Sequence, residues 1–187
     1  HHIDTADAHI TLAEIPVVPL RHGLPQQLLD RAHSYIDTVT AAQSRLGAPR
    51  LHIDFEQKQI TCGAHTLEKL DPRLFAWLAW WALRAAKGVA PAHWRDIDSQ
   101  EFLQVYGLHI GDTLQAYDKA CEQQANGFEK DYFLGNNSNL KRALEKQLGL
   151  AAEPYLLVSR GKRPQSTYGL ALKPEEISFA GLPEELR

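Results

Sequence analysis

Asn136-Asn-Ser-Asn-Leu-Lys-Arg-Ala-Leu-Glu-Lys-Gln-Leu-Gly149, followed by Tyr155-Leu-Leu-Val158, Arg160-Gly-Lys-Arg-Pro164 and Thr167-Tyr-Gly-Leu-Ala-Leu172, is the stretch that decides the fold. Leu140, Ala143, Leu144, Gln147 and Leu148 recur at helical spacing, with Asn136, Asn137 and Ser138 as N-cap candidates and Gly149 as the stop. After Pro154 the chain turns β-like. Two apolar strands there flank a cationic turn, so the stretch reads as a helix followed by a β-hairpin with a basic tip. Lys141, Arg142, Lys146, Arg160, Lys162 and Arg163 face only Glu145 and Glu153 in this region. Such a local patch suits a polyanion.

Outside that patch the composition is unspecialised. The chain has 187 residues, 44% of them hydrophobic, which is enough for a real core and one domain with an appendage. The net charge of −3 argues against a protein that coats nucleic acid over its whole surface. No apolar run approaches a membrane span and no secretory leader is evident, so a soluble cytoplasmic protein without membrane contact is expected. Cys62 and Cys121 are too few for a disulfide framework and fit a reducing compartment. The chain contains no Met and opens on His1-His2, which reads as a fragment of something longer.

Residues 1–24 read as a linker or an edge strand from a missing N-terminal domain, because Pro16 and Pro19 break the β-prone run. Residues 25–48 form an expected long helix, with Pro25 in its first turn and Gly47 as its stop. Its Leu29, Ala32, Ile36, Val39, Gln43 and Leu46 step by three and four, a stripe that serves as core or as a dimer seam. A domain over 49–175 and a polar, peripheral tail over 176–187 complete the expected layout.

Within that domain, Leu51, Ile53 and Phe55 alternate with His52 and Asp54, and Ile60 and Cys62 continue the pattern, so a hairpin pairing Phe55 with Lys58 is expected. A short third strand covers 65–67. Asp71 and Pro72 then open a helix running to about Ala86, and its Leu74, Phe75, Trp77, Leu78, Trp80, Trp81 and Leu83 cover nearly the whole circumference. Burial on both sides is expected for it, one side needing the 25–48 helix, a second subunit or a missing domain. Further helices are expected over 99–105 and 112–124, and Phe128, Tyr132, Phe133 and Leu134 should lock the following loop onto the core. The fold class is therefore α+β, mainly helical.

The order hairpin, strand, helices, hairpin resembles the winged-helix effector domains of PhoB/OmpR-type regulators, from which this chain departs by an extra helix. That resemblance implies a recognition helix in the major groove and a wing touching phosphates or the minor groove. Lys141, Arg142, Lys146, Lys162 and Arg163 are then the phosphate contacts. Asn137 and Asn139 are the base readers, because a carboxamide can pair in two ways with adenine. Two other constellations suggest chemistry. Cys62, His65 and His52 invite zinc, but the hairpin register sends Cys62 inward with Leu51 and His52 outward, so the ligands diverge. Arg45 and His52 have the spacing of the ribonuclease motif of HEPN nucleases, with Gly47 and Pro49 interrupting the helix between them. No phosphate-binding Gly-Lys-Ser/Thr loop and no catalytic residue is assigned, and no cofactor is expected.

Thr11-Leu-Ala-Glu-Ile-Pro16 with Leu20-Arg21, Gly23-Leu-Pro25, Leu51-His-Ile-Asp54 and Arg163-Pro164 before Tyr168-Gly-Leu170 together resemble the C-terminal region of the CRISPR-associated ring-nuclease family that carries a CARF domain. The resemblance runs from about Asp4 to Ile177. It implies a context of type III CRISPR antiviral defence, in which a CARF domain outside this chain binds and cleaves cyclic oligoadenylate. This chain would then be a non-catalytic winged-helix-like module. Its expected partners are a second copy of itself, as a homodimer, and DNA or RNA.

Overall fold

The computed structural model describes residues 49–111, 114–162 and 164–186. The 1–24 linker, the 25–48 helix with Arg45, and Arg163 lie outside the described residues. The rest is α+β and mainly helical. Strands β1 (Leu51–Asp54), β2 (Gln59–Cys62) and β3 (His65–Thr66) are followed by helices α1 (Pro72–Ala86), α2 (Ser99–Ile110), α3 (Gln115–Gln123) and α4 (Lys130–Leu148). A 3-10 segment, Gly149–Tyr155, leads into the hairpin β4 (Leu157–Arg160) and β5 (Thr167–Leu170), and β6 (Ile177–Ala180) comes last.

The first hairpin has the expected register, Leu51 opposite Cys62 and Ile53 opposite Ile60. Leu51 and Ile53 are fully buried, so the alternation of apolar and polar residues puts one face of the sheet into the core. The four-residue turn brings Lys58 to φ 54°, in the left-handed region.

The segment after Lys173 is not a peripheral tail. Ile177–Ala180 pairs in parallel with β1, Leu51 opposite Ile177 and Ile53 opposite Phe179, and completes a sheet of order β3-β2-β1-β6. Short apolar residues separated by polar ones conceal such a strand in sequence, because a parallel partner supplies its hydrogen bonds from far along the chain. Leu172, Ile177 and Leu182 are buried with it. The domain thus runs to the end of the described residues.

Helix α1 is the central element. Asp71 caps it by accepting from the Arg73 backbone N–H at 3.0 Å, and Pro72 occupies a first-turn position where no N–H partner is needed. Every residue from 75 to 83 is buried. The covering layers come from this chain's described residues, so neither the 25–48 helix nor a second subunit is required. Phe55 meets Phe75 edge to face from the sheet side, at 5.8 Å. Phe102 of α2, Phe128 in the loop before α4, and Phe133 of α4 surround Trp77 at 5.0, 5.3 and 5.5 Å. Glu101 of α2 accepts from both the Trp80 indole and the Arg84 guanidinium. Truncating any of the three buried tryptophans to alanine would cost about 3–5 kcal/mol.

Helix α2 continues past the expected stop at 105 to Ile110, and Gly107 inside it lets the Tyr117 ring approach where a Cβ would stand at 3.1 Å. Helix α3 is shorter than expected. Helix α4 begins six residues before Asn136, at Lys130, so the three polar residues 136–138 are interior rather than capping. The 157–160 strand also starts later than expected, because the chain first makes the 3-10 segment. The connection between α1 and α2 crosses the hairpin. Ala92 and Tyr168 exchange two backbone hydrogen bonds, at 3.2 and 2.9 Å, and Pro91 lies against Gly169.

Candidate nucleic-acid interface

Helix α4 presents two unlike faces. Phe133, Asn136, Leu140 and Leu144 point inward, and Asn136 is satisfied there by donating to the Tyr132 carbonyl at 3.0 Å. Asn137 also turns toward the core, its Oδ1 accepting the Trp77 Nε1–H at 2.8 Å. The Asn136 amide and the Asn137 Oδ1 thus have i−4 and tertiary partners instead of competing with the helix backbone, while the buried Asn137 Nδ2 has no hydrogen-bond partner among the described residues. Asn137 is therefore a structural acceptor and not a reader of base edges.

The opposite face is open to solvent. Asn139, Arg142 and Lys146 are exposed and recur at i, i+3 and i+7, which places them in one row along α4. Lys141 is exposed beside that row but reaches back to Glu145 at 3.7 Å, an i,i+4 pair worth a few tenths of a kcal/mol in water. On the hairpin, Arg160 and Lys162 are exposed around the tip, where Gly161 takes φ 88°. Row and tip both offer cations to solvent.

Two contacts decide how helix and hairpin relate. Tyr168 of β5 meets Phe133 at 5.2 Å, in the first turn of α4, whereas Gln147 in its last turn accepts the Glu68 backbone N–H at 2.7 Å. Phe133 and Gln147 are 14 positions apart, roughly 21 Å along a helix. The hairpin is thus anchored at the start of α4, and the Arg142–Lys146 end adjoins the loop between β3 and α1. Lys69 in that loop is a cation near the basic end that sequence spacing did not single out. Among the described residues, the Glu68 hydrogen bond ties this loop to position 147.

The residues of the candidate zinc site separate, and of the Arg45–His52 pair only His52 lies among the described residues. Cys62 is 2% exposed inside the core, and burial pushes its thiol up to about 12. His52 lies on the other face of the sheet, where Nδ1 is 2.9 Å from the Ser178 hydroxyl. Among the described residues no three His, Cys, Asp or Glu side chains cluster as a metal site. No helix among them is long and apolar enough to cross a membrane. Compared with known protein families, curated proteins and solved structures, the chain matches none.

Proposed function

We propose that this chain is a winged-helix-like module that binds nucleic acid through the solvent-facing side of α4. In this reading α4 is the recognition helix, β4–β5 is the wing, and the four-stranded sheet is the platform behind them. The observation that carries it is the exposed row Asn139, Arg142 and Lys146, unopposed by an intrachain ion pair among the described residues. Arg142 and Lys146 neutralise phosphates, Asn139 is left as the base reader, and Lys162 with Arg163 supplies wing contacts to the backbone. The wider setting we infer is the type III CRISPR-associated CARF ring-nuclease family, resting on the sequence resemblance alone. There a separate CARF domain would handle cyclic oligoadenylate. The module's self-association would fall to the Ile36 and Val39 stripe, since the Trp-rich helix is already enclosed.

Fluorescence anisotropy with labelled duplex DNA at low salt tests the reading. Replacing Arg142 and Lys146 together by alanine should weaken binding similarly across sequences and flatten the salt slope by about one unit for each phosphate no longer neutralised. Asn139→Ala should change sequence preference more than salt dependence. Absence of duplex affinity in the intact protein would leave the fold as a scaffold, the reading that Asn137 and Lys141, both engaged within the chain, favour.

A further inference from the structure

On the sheet side of the molecule, the β1–β2 turn and the loop from β3 to α1 enclose a cavity of about 330 Å³. Its floor is apolar, formed by Ile60, Leu67, Leu70 and Phe75, none more than 8% exposed. Two exposed lysines, Lys58 and Lys69, line it from the two loops. Neither forms an ion pair among the described residues. A cleft at the small end of the ligand-pocket range, with a greasy floor and free cations at the mouth, suits a small amphiphilic anion.

We propose that this cleft binds a small phosphate monoester, with its dianionic head between Lys58 and Lys69 and one ring or short apolar body on the Ile60, Leu67 and Leu70 floor. The phosphate is preferred to a carboxylate because two ammonium groups match two negative charges. Glu68 shares the rim, yet two lysines against one carboxylate leave the mouth cationic. Phe75 of the floor also carries a buried imidazole, which feels both lysine charges and the opposing carboxylate of Asp71. His109 stacks on Phe75 with ring centroids 4.0 Å apart, and its pKa is lowered first by burial and then by Lys58 and Lys69. Lys58 also stands at φ 54°, where glycine would be less strained. A lysine there places its ammonium at the mouth at a conformational cost.

The test is an NMR titration of the whole protein with phenyl phosphate, following backbone amides, with inorganic phosphate and phenol as separate controls. Saturating shifts centred on Lys58, Lys69 and Leu70 are expected, with each control binding at least about tenfold more weakly. Lys58→Gly relieves the left-handed backbone, so it should keep or raise the melting temperature while weakening phenyl phosphate severalfold. Lys69→Ala should weaken it similarly, and Lys119→Ala, at an exposed position of α3, should leave it unchanged, which separates this cleft from general surface charge. Unsaturable shifts up to about 10 mM, unaltered binding by Lys58→Gly and Lys69→Ala, or shifts confined to α4 would each overturn the proposal.

Discussion

The Trp77 indole donates its N–H to Asn137 Oδ1 at 2.8 Å, across 60 positions of sequence, and thereby ties the central helix α1 to α4. Asn137→Ala leaves a buried indole N–H without its acceptor, a loss of roughly 1–3 kcal/mol. Equilibrium urea unfolding should show it as a lower midpoint with an unchanged slope. Any effect on duplex binding should track the fraction folded and not the DNA sequence.

His109 is 6% exposed, and its Nδ1 has no hydrogen-bond partner. Burial, with smaller contributions from Lys58 and Lys69 and an opposing one from Asp71, lowers its pKa to about 4. The unfolded chain takes up the proton near pH 6.5 and the folded chain resists it until about 4. Stability is therefore fully present above that upper value and is lost as pH falls toward the lower one, by on the order of 3 kcal/mol. Urea midpoints measured between pH 7 and 4 should fall more steeply for the native protein than for His109→Leu. Parallel curves would show that another group governs the acid limb.

Cys62 is held as a neutral thiol by burial, with its pKa pushed up to about 12, so its thiolate is scarce at ordinary pH. In a Cys121→Ser background, a thiol reagent at pH 8 should modify Cys62 only at the rate at which the fold opens. Rapid stoichiometric labelling of folded protein would contradict the core placement.

Gly181 follows β6 at φ 67°, and a Cβ there would meet Glu56 Cγ at 2.6 Å and the Glu56 backbone nitrogen at 3.0 Å. The side chain can move; the backbone nitrogen cannot. Gly181→Ala should therefore destabilise the protein by roughly 1–3 kcal/mol, through both left-handed strain and the close approach. Adding Glu56→Ala should recover only a small part, as read by thermal melts of the single and double variants.

Much of the candidate site was legible one residue at a time, and its assembly was not. The helical spacing of Leu140 and Leu144 marked a buried face, and Arg142 and Lys146 lie exposed beside it. The same pattern could not show that Asn137 turns inward, because its partner is an indole on another helix. Nor could it reveal which end of α4 the hairpin meets. Aromatic contact between Phe133 and Tyr168 decides that, and aromatic residues carry no address in a linear sequence.

Sequence alone determined what short-range chemistry controls: the β1–β2 register from alternation, the start of α1 from Asp71 and Pro72, and the burial of the Trp-rich run from its all-round apolarity. Tertiary structure decided the rest. Ile177–Ala180 becomes a strand only because β1 offers parallel hydrogen bonds, and the second side of α1 is closed by helices and a hairpin of the same chain. Helix α4 passes through Asn136 and Asn137 because the Tyr132 carbonyl accepts from the first and the Trp77 indole donates to Oδ1 of the second. Local propensity sets which conformations are cheap, but a buried polar atom or an edge strand is resolved by whichever distant partner the fold brings to it.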